Sequence, residues 1–218
     1  MEGSVQRTLG ALRRLEPYRP DLLEIRLDLM KDTAPIAQIR RNTDLPLIAT
    51  NRGRSDGGFY HGSEERRVNT LSEAAQHGFD FVDIELNAKN VRRLVHRFDQ
   101  EGARTIVSHH NANNTPQLIA LESTLRREKN AGAYVCKVVT TAKSYADNLR
   151  CFEFISKHAR STKLVCFAMG RLGMPSRVLS PVFGAYFTFA SAGVGNETAA
   201  GQIPLSTLRG FYNELGTT

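Results

Sequence analysis

Short apolar runs alternate with longer amphipathic stretches along this chain. Seven runs read as strands: Leu22–Asp28, Pro46–Thr50, Phe81–Leu86, Arg104–His109, Tyr134–Thr140, Lys163–Met169 and Tyr186–Ala190. Helical spacing of apolar positions predicts helices over Val5–Leu15, Ala34–Arg41, Glu64–His77, Val91–Glu101, Pro116–Ala131, Tyr145–His158 and Ser206–Leu215. Thr115-Pro116 supplies an N-cap and a first-turn proline, while Gly78 and Gly132 stand where left-handed helix caps fit. No linker interrupts the alternation, which predicts one catalytic domain over residues 1–218.

Strand–helix alternation predicts an α/β fold with parallel strands and crossover helices. The choice lies between a closed (β/α)8 barrel and an open doubly wound sheet. No Gly-x-Gly-x-x-Gly follows the first strand, which disfavours a dinucleotide-binding sheet. Polar residues recur near the carboxyl ends of nearly all the strands, as in a TIM-like barrel that gathers side chains into one mouth. An eight-stranded barrel needs one strand more than the seven read here. Either Met1–Val5 is its stump, or the first strand is missing, or the count is off.

Composition narrows the function. Hydrophobic residues at 41% and charged residues at 23% suit a soluble globular protein. With no membrane-length apolar run and no signal-peptide pattern, a cytoplasmic location is expected, with no membrane partner. The three cysteines, Cys136, Cys151 and Cys166, are odd in number and lack metal-site spacing, so buried thiols are expected and no metal. A net charge of +7 raises the question of nucleic acid. The basic pairs, among them Arg40-Arg41, Arg66-Arg67 and Arg92-Arg93, are dispersed, and most fall on predicted helices, where a solvated face is the ordinary reading. No nucleic-acid partner is expected, and an anionic small-molecule substrate accounts for the charge as well.

Lys137 stands inside the apolar, β-branched run Tyr134–Thr140. Only about one lysine in two to three thousand is neutral at pH 7, and burial raises that share, which is one way an amine becomes a nucleophile. The competing reading is a strand-end lysine that reaches solvent or a salt bridge. Alternation puts Glu24, Arg26 and Asp28 on one strand face and pairs Asp83 with Glu85 on another, as a structural salt-bridge cluster would also require. His109 and His110 end a strand and point to opposite faces, so one of them at most enters the mouth. Histidine suits proton shuttling near neutral pH, and a carboxylate such as Glu85 would fix its tautomer.

Taken in order, these segments resemble the type I 3-dehydroquinate dehydratase family, Schiff-base enzymes of the shikimate pathway. Glu24-Ile25-Arg26-Leu27-Asp28 is similar to the family's E-x-R-x-D strand, and Ile48–Arg52 with Asp56-Gly57-Gly58 to its next strand and Gly-Gly turn. Asp83-Ile84-Glu85-Leu86 follows, then Ser108-His109-His110-Asn111 with Thr115-Pro116, a register that selects His110. Lys137 falls at the family's imine-forming lysine. Met169-Gly170-Arg171-Leu172-Gly173-Met174-Pro175-Ser176-Arg177 is similar to M-G-x-x-G-x-x-S-R, and Gly201-Gln202-Ile203 to G-Q-I. The resemblance covers about Leu22 to Leu208. Thr198-Ala199-Ala200-Gly201-Gln202 departs from S-A-P-G-Q; the threonine keeps the hydroxyl, and loss of the proline is expected to loosen the loop. Gly193-Val194-Gly195-Asn196 is longer than usual.

The resemblance implies dehydration of 3-dehydroquinate to 3-dehydroshikimate. Lys137 forms the imine, His110 is the general acid and base, and Glu85 tunes it. It implies Arg177 on the substrate carboxylate, Thr198 and Gln202 as further hydrogen-bonding groups, Glu24 and Arg52 on ring hydroxyls, and Arg26 as a positioning partner. Met169 and Phe189 are expected as apolar walls, with packing inside a barrel as the alternative. No cofactor is implied, since the imine is itself the electron sink; a homodimer is. The rival is another class I Schiff-base barrel such as an aldolase, many of which bind phosphate through late Gly-rich loops.

Overall fold

The computed structural model describes residues 5–32, 36–195 and 197–216. Among them are six strands: β1 Leu23–Arg26, β2 Leu47–Thr50, β3 Phe81–Glu85, β4 Arg104–His110, β5 Val135–Thr141 and β6 Leu164–Met169. The α-helices are α1 Val5–Leu15, α2 Ile36–Arg41, α3 Glu64–Gln76, α4 Val91–Gln100, α5 Leu118–Ala131, α6 Asp147–His158, α7 Met174–Leu179 and α8 Leu205–Leu215. Strand order follows chain order from β1 to β6. The result is an α/β fold of parallel strands with flanking helices. Two compact units divide the chain, Met1–Val107 with Asn130–Tyr134, and Ser108–Lys129 with Val135–Thr218.

In the first unit, β1 pairs with β2 and β2 with β3, both parallel. The registers Arg26↔Thr50 and Thr50↔Asp83 set Arg26, Thr50 and Asp83 side by side on one face. On the same face Glu24 lies beside Ile48. The opposite face of β1 carries Leu23 and Ile25, both buried. Helix α3 starts at Ser63, whose hydroxyl accepts the Arg66 N–H at 3.3 Å, with Glu64 and Glu65 in the first turn, where the helix dipole favours acid. It ends before Gly78, whose φ of +84° few other residues adopt. Val68, Leu71, Ala74 and Ala75 form its buried stripe.

In the second unit, β5 and β6 pair in parallel from Cys136↔Leu164 to Thr141↔Met169. Lys137, Val139 and Thr141 therefore share a face with Val165, Phe167 and Met169. The other face of β5 meets the helices: the Thr140 hydroxyl lies 3.8 Å from the Cys151 sulfur of α6. Cys136 lies near Glu128 of α5, and burial with that carboxylate nearby pushes its thiol up to about 12. All three cysteines are buried and free.

Several expectations need correcting. Strand Leu22–Asp28 stops at Arg26, and Leu27–Leu29 form a 3-10 turn that carries Asp28. Tyr186–Ala190 is not a strand. Its Tyr186 N–H reaches the Leu164 carbonyl and Ser191 forms an isolated bridge to Pro204, but no ladder forms between them; the rings of Tyr186 and Phe187, and of Phe187 and Phe189, pack on each other. Residues 1–4 of the suspected strand stump lie outside the described residues, and Val5 already begins α1. Ala34 of the second expected helix and Asn196 of the long loop lie outside them too. Helix α5 begins at Leu118, because the Thr115 hydroxyl is engaged by the Thr140 hydroxyl at 2.8 Å and the Thr141 carbonyl at 3.2 Å.

Candidate active site

Charge dominates the first unit. Arg52 donates from Nη2 to Asp83 Oδ1 at 2.8 Å and from Nη1 to Glu85 Oε1 at 3.0 Å, all three side chains being buried. Burial opposes the Arg52 cation, but Asp83, Glu85 and Glu24 outweigh it and raise its pKa above the ordinary arginine value. Glu85 answers mostly to burial, which lifts its carboxyl above the ordinary glutamate range against the pull of Arg52 and Arg67. Glu24 Oε1 accepts the Thr50 hydroxyl at 2.8 Å. Arg26 grips Asp28 with two nitrogens, at 2.9 and 2.6 Å, and Asp28 Oδ2 also accepts the Phe59 N–H at 3.1 Å. The pair thus ties Arg26 to the turn after Gly57-Gly58. Glycine is required at 58, since a Cβ there would stand 2.1 Å from the Arg52 carbonyl oxygen.

Arg67 of α3, expected on a solvated helix face, is buried instead. The Nη1 atom lies 2.7 Å from Glu85 Oε2 and 2.8 Å from the Asn51 carbonyl oxygen. Its Nε and Nη2 hold the two oxygens of Glu64 at 2.7 Å each. The sequence carried a signal for it: Arg67 stands four residues before Leu71, on the apolar stripe of its helix.

The second unit holds the amine and the histidines. Lys137 is 4% exposed, on the face of β5 away from α5 and α6, with Nζ 4.3 Å from the centroid of the Phe189 ring. Phe189 packs edge-on against Phe167 at 6.2 Å. Arg177, on α7, places its Cζ 4.1 Å over the Phe167 ring and is 2% exposed. Its Nη2 reaches the Ala200 carbonyl at 3.4 Å. Helix α7 is fixed by Ser176, whose hydroxyl accepts the Ala168 N–H and donates to the Gly173 carbonyl, both at 2.9 Å. So Lys137, Phe189, Phe167 and Arg177 form a chain of contacts, and Met169 shares the face of Lys137.

His109 and His110 are both half-buried at the end of β4. The loop that follows is tied to β5: the Asn111 N–H donates to the Val139 carbonyl at 2.8 Å, and the Thr141 hydroxyl to the Asn111 carbonyl at 2.9 Å. The Asn111 side chain accepts the N–H groups of Asn113 and Asn114, closing the turn. Thr198 and Gln202 bond each other, the Thr198 N–H donating to Gln202 Oε1 at 2.8 Å and Gln202 Nε2 to the Thr198 hydroxyl at 3.2 Å. Their loop is joined to β6 where the Gly170 N–H donates to the Ala200 carbonyl at 3.2 Å. Among the described residues no group of three or more His, Cys, Asp or Glu is arranged to hold a metal, and no helix is long and apolar enough to cross a membrane.

The family model for type I 3-dehydroquinase matches residues 1–218. A 3-dehydroquinate dehydratase of Dehalococcoides mccartyi strain BAV1 is 35% identical over 192 residues, 88% of this chain and 85% of that one. Another, of Methanothermobacter thermautotrophicus, is 36% identical over 197 residues, 89% and 85% of the two chains. Among solved structures, the 3-dehydroquinate dehydratase of Geobacillus kaustophilus superposes with a TM-score of 0.89 at 26% identity, covering 97% of this chain and 87% of that one.

Proposed function

This chain belongs to the type I 3-dehydroquinase family, and for its dehydration of 3-dehydroquinate we propose a lysine-imine route with Lys137 as nucleophile and His110 as general acid and base. The enzyme is a hydro-lyase of the shikimate pathway. One observation carries the route: a lysine held on the strand face away from the helices, 4.3 Å from an aromatic ring, at the position the family's motif order reserves for the imine.

Neutral Lys137 attacks the C3 ketone to give a carbinolamine, whose hydroxyl takes a proton from solvent and leaves as water, giving the protonated imine; the final hydrolysis returns that proton. His110 takes the C2 proton, and the electron pair of that bond moves into the imine to form an enamine. The pair returns to expel the C1 hydroxyl, which leaves as water with a proton from His110. Hydrolysis of the conjugated imine releases the product and restores the amine. The proton transfers are worth about 10²–10⁴-fold, and the imine supplies the electron sink. Glu85 tunes His110 and steadies the charged imine.

Arg177 takes the substrate carboxylate, for which a guanidinium fork is suited. Thr198 and Gln202 add hydrogen bonds, Glu24 and Arg52 read ring hydroxyls, Arg26 positions them, and Met169 and Phe189 are walls. The same reading includes a TIM-like (β/α)8 barrel, complete or with its first strand missing or truncated, as one catalytic domain, together with a homodimer, a cytoplasmic location and no nucleic-acid partner; the family match over residues 1–218 supports the single domain.

Borohydride reduction during turnover tests the route. Mass spectrometry is expected to find the substrate-derived adduct on Lys137 and on no other lysine. An unmodified Lys137 after reduction of an enzyme that turns over would overturn it.

A further inference from the structure

Glu85 is a buried carboxylate with a guanidinium on each oxygen: Arg52 Nη1 at 3.0 Å from Oε1 and Arg67 Nη1 at 2.7 Å from Oε2. The two arginines are held differently. Arg52 divides its fork between Glu85 and Asp83 of the same strand. Arg67 comes from α3, and its remaining donors are fixed by Glu64, whose carboxylate meets it in a two-point fork, and by the Asn51 carbonyl. Glu64 is half in solvent, whereas Arg67 and Glu85 are buried. A line of contacts therefore runs from the surface of α3 to a carboxylate on β3.

We propose that Arg67 is a positioning residue for the dehydration, holding the Glu85 carboxylate in one orientation while Glu64 and the Asn51 carbonyl hold Arg67. The proposal rests on the reading of Glu85 as a participant in the reaction. The geometry selects arginine. One planar group meets Glu64 through Nε and Nη2, and Glu85 and Asn51 through Nη1. A lysine ammonium at the end of a flexible stem cannot span these partners. If Oε2 loses its partner, the carboxylate can turn about its last torsion. A displacement of about 1 Å in a group of the reacting constellation costs about 10²-fold in rate.

Arg67→Lys, Arg67→Met and Glu64→Gln, each in the full chain, test the proposal by kcat and KM for 3-dehydroquinate beside thermal unfolding. Both Arg67 variants are expected to lose about 10²-fold in kcat with little change in KM. Lysine should not rescue, and Glu64→Gln should fall between them and the parent. A merely structural Arg67 would instead lower the unfolding temperature and leave kcat per folded molecule intact. If Arg67→Met does not fold, Arg67→Lys and Glu64→Gln decide. Unchanged kcat in folded Arg67→Lys and Glu64→Gln overturns the proposal. Borohydride trapping of the parent keeps the two failures apart: an adduct on Lys137 with unchanged kcat in the variants sinks only the role of Arg67. A parent without an adduct sinks the imine, while a kcat loss at Arg67 would still support the clamp on Glu85.

Discussion

The two compact units treat their buried cations in different ways. In the first, Arg52 and Arg67 meet Asp83 and Glu85 at 2.7 to 3.0 Å, and Arg26 meets Asp28 at 2.6 Å. In the second, Lys137 and Arg177 lie 4.3 and 4.1 Å from ring centroids. A carboxylate fixes a nitrogen group's direction through short, oriented hydrogen bonds, whereas an aromatic face attracts it without dictating one direction. The first arrangement suits groups that must stay where they are. The second sets the amine and the guanidinium against aromatic walls, the surroundings proposed for the groups that meet the substrate's ketone and carboxylate.

If that contrast is functional, variants of the second unit should strike turnover or substrate affinity. The largest effect is expected at His110→Ala, a loss of about 10²–10⁴-fold in kcat, with His109→Ala much milder. Equal losses in stopped assays of dehydroshikimate formation would overturn the register that selects His110. Next comes Arg177→Lys, which keeps the charge and loses the fork. KM is expected to rise about tenfold or more, as befits one charge-assisted hydrogen bond of about 1.5–3 kcal/mol, with a smaller change in kcat. A kcat loss with unchanged KM would move Arg177 from recognition to chemistry.

The smallest effect belongs to the first unit and concerns stability. The hydrogen bond from Arg67 holds the Glu64 carboxyl below its ordinary value of 4.5. A pKa lowered in the folded state contributes stability above the unfolded value, and the contribution is lost as pH falls through the folded one. Urea unfolding should therefore show Glu64→Gln slightly less stable than the parent at about pH 7, with the gap closing as pH falls below the ordinary glutamate range. A gap that persists in acid would mean that the amide disturbs packing rather than an ion pair.

The strand faces could be read from alternation. Glu24 and Arg26, Asp83 and Glu85, and Lys137 fall on the expected faces, because a strand's period of two leaves one choice once the apolar side is known. What escaped has no period. A three-residue 3-10 turn at Leu27–Leu29 leaves no repeat to detect, so Asp28 was placed on a strand. Helix α7 is six residues long and begins with Met174-Pro175, too short for an amphipathic stripe. Tyr186–Ala190 has the aromatic content of a strand, yet its rings pack on one another and on Phe167. Local propensity cannot foresee that outcome. Arg67 was misread for another reason. Charge on a helix suggests water, and only the position of Leu71 one turn on contradicts that.

The Thr198-Ala199-Ala200-Gly201-Gln202 loop holds a last consequence. What Ala200 offers its neighbours is a backbone oxygen, which receives Gly170 and the Arg177 guanidinium. Every amino acid, proline included, brings that oxygen, so exchanging alanine and proline here should leave both attachments standing. The next position has no such latitude: a methyl group on Gly201 would press to 2.5 Å from the Gly170 oxygen. Anyone reshaping this rim of the enzyme has a permissive residue and a forbidden one side by side.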